Sequence, residues 1–218
     1  AVGISTEGLS LKRDVQYYQW VETSKSETRT RLGGGEETVT TYAYNLEWSQ
    51  MAQDSSQFQQ PNGHQNPPTT LEDASFVADQ AKLGAFTLDR GSLQQVPADT
   101  PLNMSAEQAQ AAQTALGKTV SVSENGLYVG ANPAIPQPGD MKISYSVAPQ
   151  NTTLSLIGAQ TNGVIRPYPT KAGIPLLMVR SGTASPAEMF AEAKAANKTL
   201  TWILRVVGVV VMIAAFGM

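Results

Sequence analysis

The sequence predicts an α+β fold: a mainly antiparallel sheet with one or two packed helices and a C-terminal helix entering the membrane. Three observations lead there. Segments rich in aromatic and β-branched residues alternate with glycine- and asparagine-marked turns; two helix starts carry capping residues; and residues 206–218 form an uninterrupted uncharged run. The expected organisation is one α+β domain over residues 1–185, opening on a β-hairpin, followed by a helical segment over 186–218.

The hairpin comes first. "DVQYYQWVE" (14–22) and "TVTTYAYNLEW" (38–48) have strand composition, and "LGGGEE" between them supplies the reversal. In the intervening "TSKSETRTR", alternation puts Lys25, Glu27, Arg29 and Arg31 on one face and hydroxyl residues on the other. With no apolar face, this stretch either projects into water or finds partners on another subunit. The proposed self-association set is therefore Lys25, Glu27, Arg29 and Arg31 with Glu36 and Glu37. The aromatics Tyr17, Tyr18, Trp20, Tyr42, Tyr44 and Trp48 could line a ligand pocket, but alternate positions on paired strands favour cross-strand packing.

"FQQPNGHQNPP" (58–68) reads as loop, and "LEDASFVADQAKLGAFTLD" leaves a helix and a strand pair both open. "SAEQAQAAQTALG" predicts a helix with Ser105 as cap, Gln at the third position and Gly117 as its stop. Short strands follow in "TVSVS", "GLYVG", "MKISYSV", "TLSLIGAQ" and "GVIRPY", with Asn162-Gly163 marking a tight hairpin.

Ser185, Pro186 and Glu188 predict the start of the last helix. Met189, Phe190, Ala193, Leu200 and Leu204 form a narrow stripe that could seat it on its own domain or on a neighbouring copy. As a helix, the uncharged run spans about 20 Å against a hydrocarbon core of about 30 Å. The simplest expectation is that it continues beyond Met218. The predicted membrane anchor comprises Trp202 and Arg205 at the interface, with Val206, Val210, Ile213 and Phe216 in the apolar phase.

Composition narrows the chemistry. A formal charge of −3 gives no attraction to phosphate backbones, so nucleic acid is not an expected partner. The absence of cysteine excludes thiolate chemistry and disulfides, and a lone histidine excludes a His-rich metal site. His64 could serve as ligand or base, yet a structural hydrogen bond in its loop is the favoured reading. "LGKT" (116–119) lacks the first glycine of a phosphate loop and follows a helix rather than a strand, and no nucleophile-elbow pattern occurs. Asn103 and Asn151 head glycosylation sequons that would matter only in a eukaryotic lumen. No catalytic, cofactor or metal site is expected.

In chain order, "GISTEGLSLKRDVQYYQWVE", "YNLEW", "GHQNP", the strand pair containing "PGDMKISYSV", "RPYPTKAG" and "KTLTWILRVVGVVVM" resemble the LUMA family, transmembrane protein 43, over nearly the whole chain. The resemblance marks His64, Asn66 and Pro67 as a family-motif loop. It implies a large lumenal or periplasmic domain, with the sequence a fragment lacking the first and the last membrane helices. Animal members are associated with the endoplasmic reticulum, the inner nuclear membrane, self-association and nuclear-envelope partners. The Gln- and Ala-rich loops favour a bacterial member with a periplasmic domain on the inner membrane, to which the nuclear partners do not carry over. The expected function is a non-enzymatic, membrane-anchored, self-associating scaffold that organises membrane or envelope assemblies. Its expected partners are the lipid bilayer, further copies of itself (a homo-oligomer) and other membrane proteins. The alternative is a membrane-bound lipid- or glycan-binding module with its pocket between the sheet and the Ser105 helix.

Overall fold

A computed structural model describes residues 2–31, 33–199 and 201. The chain divides into two compact units, one from Ala1–Phe76 and Ala98–Val147, the other from Val77–Pro97 and the residues from Ala148 onward.

The first unit is organised by β1 (Ser10–Thr30), a strand of 21 residues that at about 3.3 Å per residue runs roughly 70 Å. It pairs antiparallel with β2 (Glu36–Ser49), Tyr17 facing Ser49 and Thr30 facing Glu36. The seven-stranded sheet runs in the order β2-β1-β9-β8-β7, where β7 is Val120–Ser123, β8 Gly126–Val129 and β9 Met141–Ala148. Two short strands join it, β3 (Ala74–Val77) on β1 and β6 (Thr100–Pro101) on β9.

Burial along β1 follows the pleat. Arg13, Val15, Tyr17 and Gln19 are buried, while Asp14, Gln16, Tyr18 and Trp20 are half-buried on the other face. Val15 and Tyr17 enter a core with Leu127, Met141, Ile143 and Tyr145. Helix α2 (Ala106–Leu116) closes that core through Ala109 and Ala112. Its ends are as the sequence predicts: Ser105 and Gln108 form a reciprocal capping box, and Gly117 takes the left-handed conformation (φ 63°) that ends the helix. Small alanine side chains let the helix approach the sheet closely, Ala109 and Ala112 lying in the same buried cluster as Val15, Leu127 and Ile143.

The buried Arg13 needs compensation. Its Nε and an Nη donate to the Glu72 carbonyl at 3.0 and 2.7 Å, and the guanidinium lies 5.8 Å from the Phe76 ring centroid. The Tyr145 hydroxyl is pushed up from its ordinary value by burial, an effect that the Arg13 charge opposes.

The second unit holds a four-stranded sheet in the order β11-β12-β5-β4 and a two-stranded sheet of β10 and β13. These are β4 (Gln80–Leu83), β5 (Phe86–Asp89), β10 (Leu154–Ile157), β11 (Ala159–Thr161), β12 (Val164–Arg166) and β13 (Met178–Ser181). Asn162-Gly163 makes the predicted tight turn with both residues at positive φ. Asp89 caps the one-turn α1 (Arg90–Leu93) by accepting from the Ser92 amide and hydroxyl, and Leu88, Leu93 and Ile165 are buried. Residues 186–199 are helical, begun by a reciprocal Ser185–Glu188 capping box. Met189 is buried, Phe190 is about half exposed, and Glu192 reaches Arg180 of β13 at 3.1 Å.

The α+β class is corrected by these elements. The described residues form mainly antiparallel β structure with short helices, and the segment left open over 71–89 forms strands and a turn. The reason is architectural: α2 is one short helix on a seven-stranded sheet, so helices make no layer comparable with the sheets. The expected C-terminal helix entering the membrane is corrected too. Among the described residues no helix is long and apolar enough to cross a membrane. The anchor residues Trp202, Arg205, Val206, Val210, Ile213 and Phe216 lie outside the described residues.

Candidate functional site: a polar ribbon and the loop clasped to its base

From Thr23 onward every described residue of β1 is exposed, because the apolar alternation of the strand stops there. What continues is a two-stranded ribbon, Thr23 facing Ala43 and Arg29 facing Glu37. Its turn relies on Gly33 and Gly34 at φ 119° and 91°, with the Arg31 amide donating to the Gly35 carbonyl at 2.6 Å.

The pleat sorts the ribbon into two chemistries. On one face Ser26 meets Thr40 at 2.9 Å and Thr28 meets Thr38 at 3.2 Å. On the other, Glu27 pairs with Lys25 at 2.7 Å and Arg29 at 3.2 Å, and Arg31 pairs with Glu37 at 2.8 Å. Five of the six proposed self-association residues thus share one charged cluster. Glu36 stands apart: the register sets it opposite Thr30, on the hydroxyl face. The ion pairs are solvent-exposed and contribute little. Lys25 and then Arg29 hold Glu27 below its ordinary carboxylate value, and Arg31 does the same for Glu37.

The ribbon's base is held by the loop containing His64, Asn66 and Pro67. Asn66 Oδ1 accepts from the Trp20 amide at 2.7 Å, and its Nδ2 donates to the Trp20 carbonyl at 2.9 Å and the Gln53 carbonyl at 3.3 Å. The same edge of β1 is paired just before this point by residues preceding β9: the Tyr18 amide donates to the Asp140 carbonyl and the Gly139 amide to the Tyr18 carbonyl, both at 2.9 Å. A side-chain amide therefore takes the place of the next strand residue. Pro67 sits against Gly139, where no Cβ would fit.

His64 is built into an aromatic stack. Its ring lies parallel to Tyr44 at 4.0 Å and edge-on to Trp20 at 4.7 Å, while Nδ1 is 2.9 Å from the Gln60 carbonyl. The Tyr44 hydroxyl donates to Glu22 at 2.7 Å and accepts from the Gln60 amide at 2.9 Å. Loss of surrounding water and then the Glu22 carboxylate raise its pKa. The second row is Tyr18, Trp48 and Tyr128, with centroids 5.2 and 6.2 Å apart, and Lys142 lies over Trp48 at 4.3 Å. The Tyr128 hydroxyl donates to the Asp140 carboxylate and is strongly raised, first by burial and then by that carboxylate.

Of the aromatics singled out in the sequence, Tyr18 and Trp48 are cross-strand partners, Trp20 and Tyr44 pack on the loop histidine, Tyr17 enters the core, and Tyr42 lies further out on the ribbon. Glu22, Gln53 and Asp140 are structural partners that motif reading missed, because isolated polar residues tens of positions from their contacts carry no local signal. Among the described residues no group of three or more His, Asp or Glu side chains could hold a metal.

Two outcomes follow from this geometry. Asn66→Leu leaves the Trp20 amide, the Trp20 carbonyl and the Gln53 carbonyl unpaired and should destabilise the first unit by about 1–3 kcal/mol; His64→Phe, which keeps the stack and loses one hydrogen bond, should cost less. Tryptophan-fluorescence unfolding of both variants measures the difference. The lowered carboxylates set the sign of the pH effect: their stabilisation is full above the ordinary value of 4.5 and drains away as pH falls through the lowered one. Amide protection factors over residues 23–31 and 36–43 should therefore drop on acidification to about pH 3 while those of β8 and β9 persist; equal retention in both regions contradicts the assignment.

Comparison with known proteins agrees with the motif-by-motif resemblance. The family model described as transmembrane protein 43 matches residues 17–218. Transmembrane protein 43 of Rattus norvegicus is 29% identical over 218 residues, covering 94% of this chain and 52% of its own length. The Homo sapiens protein of the same name gives 29% identity at the same coverages, and the Drosophila melanogaster homolog 28% over 204 residues, covering 92% of this chain. The chain spans about half the length of these relatives, and no solved structure matches it. Its matched region includes the ribbon, the clasping loop and the apolar run, and the chain belongs to the transmembrane protein 43 family, a family of membrane proteins.

Proposed function

We propose that this protein is a non-catalytic, membrane-anchored scaffold whose extracytoplasmic domain self-associates through the ribbon. The observation that carries the proposal is the ribbon's edges. In an antiparallel pair, alternate residues direct their backbone groups away from the partner strand. On that outer side of β1 the pairing described ends at Trp20 with Asn66, so Glu22, Ser24, Ser26, Thr28 and Thr30 present a free row of donors and acceptors among the described residues. β2, at the end of the strand order, offers a second edge.

Open edges of this length template pairing with another chain unless something blocks them. A two-stranded ribbon without an apolar face is also marginal alone in water. Pairing β1 of one copy with β2 of the next satisfies both conditions, and the charged cluster selects register and partner. His64 supports the non-catalytic reading because stacking and the Gln60 carbonyl occupy its ring. The membrane context comes with the family; the apolar run over 206–218 is the proposed contact with the bilayer. A bacterial inner membrane with the domain in the periplasm is the setting this reading favours, and other membrane proteins gathered by the assembly are its further partners.

Deleting residues 25–37 and joining the strands by a two-residue turn tests the proposal by particle mass in detergent. Dissociation with the domain still folded is expected. An unchanged oligomer, or a wild-type protein that is already monomeric, overturns it.

A further inference from the structure

Gln16 on β1 and Ser144 on β9 occupy half-buried positions that alternate with the core residues Val15, Tyr17, Ile143 and Tyr145. They therefore stand on the face of the sheet opposite the core and α2. With Ser123, Glu124 and Asn125 at the β7–β8 turn and Gln50 just beyond β2, they line a depression of about 320 Å³. A second depression of about 240 Å³ shares Glu124, Asn125 and Ser144 and extends past Asp14 to Asn103. The two form one polar cleft within the first unit.

The lining has unused hydrogen-bonding capacity. Two buried or half-buried amides of this unit are committed at both ends: Gln19 donates to the Met51 carbonyl and accepts from the Gln53 amide, and Asn66 binds Trp20 twice. In the cleft, among the described residues, the side chains of Gln16, Gln50, Ser123, Asn125 and Ser144 make no hydrogen bond to another protein group. Five such residues in one concavity offer donors and acceptors that a ligand of matching chemistry can satisfy. The charges balance locally. Asp14 is paired with Lys12 at 2.8 Å, and Glu124 shares the first depression with Lys142, whose Nζ lies over Trp48.

We infer that this cleft binds a neutral saccharide. Amides and hydroxyls offer donor and acceptor together, which matches the alternating donor and acceptor capacity of sugar hydroxyls. An anionic ligand would require excess positive charge, which the cleft lacks; its apolar lining, Leu127 and Ile143 in one depression and Leu102 and Tyr145 in the other, suits the C–H faces of sugar rings between the polar groups. The first depression is in the size range of small-molecule sites and the smaller second one adjoins it, an arrangement that suits linked sugar rings. The site is separate from the ribbon, so its occupancy and self-association can be tested independently.

The test uses the full chain in detergent with methyl glycosides of glucose, galactose, mannose and N-acetylglucosamine and the β-1,4-linked N-acetylglucosamine dimer, read by saturation-transfer difference NMR. At least one probe is expected to bind wild type, with affinity reduced about tenfold or more in Gln16→Leu and in Asn125→Ala. The ribbon deletion should leave binding unchanged even where it dissolves the oligomer. Asn125 lies on an exposed turn, so its variant reports on binding even if Gln16→Leu fails to fold. Absence of transfer from every probe to wild type, or undiminished binding to folded Asn125→Ala, overturns the inference.

Discussion

One strand outruns its sheet, and the rest of the first unit depends on that. As far as Val21, β1 has an inward face to bury and neighbours on both sides; beyond it, the side chains are polar on both faces and only β2 continues alongside. Hydrophobic burial holds the inner half, so its geometry is rigid whether or not the outer half is satisfied. The outer half has hydrogen bonds and exposed ion pairs alone, interactions that roughly break even against water. A firm base carrying an incomplete extension is suited to a contact made and lost between molecules.

The transition between the halves is where the family motif acts. Asn66 supplies the last backbone-like bonds along the outer edge of β1, and His64 and Tyr44 stack beside it. Asparagine serves here because its amide presents one donor and one acceptor in a plane, as a peptide unit does. The motif therefore marks where the sheet ends, and it defines which backbone groups are left over. On the proposed reading, edges and concavities rather than titrating groups carry the function; the ring of the lone histidine is already engaged by Tyr44 and the Gln60 carbonyl.

Local signals were legible in the sequence, and long-range ones were not. The hairpin could be read from alternating Tyr, Trp, Val and Thr around a glycine run, and α2 from Ser105, Gln108 and Gly117, because caps and turns act over three or four residues. The class could not. Residues 71–89 carry apolar positions compatible with either period, and tertiary pairing of β5 with β12, seventy-seven positions apart at Thr87 and Val164, decided for strands. Glu36 shows the same limit on a smaller scale: its composition groups it with Glu37, yet a one-residue step along a strand moves a side chain to the other face, and only the register reveals which. The polar cleft draws Gln16, Gln50, Asn125 and Ser144 from four separate parts of the chain, so no spacing could announce it.

The central claim is that ribbons of neighbouring molecules pair along their edges. Because this chain contains no cysteine, a single Thr28→Cys substitution gives it one spin-label site, on the ribbon, for measurement in bilayers. Pulsed dipolar spectroscopy should then show a discrete intermolecular distance that disappears on dilution with unlabelled protein. A smooth background decay, with no defined distance at any labelling ratio, would contradict the account.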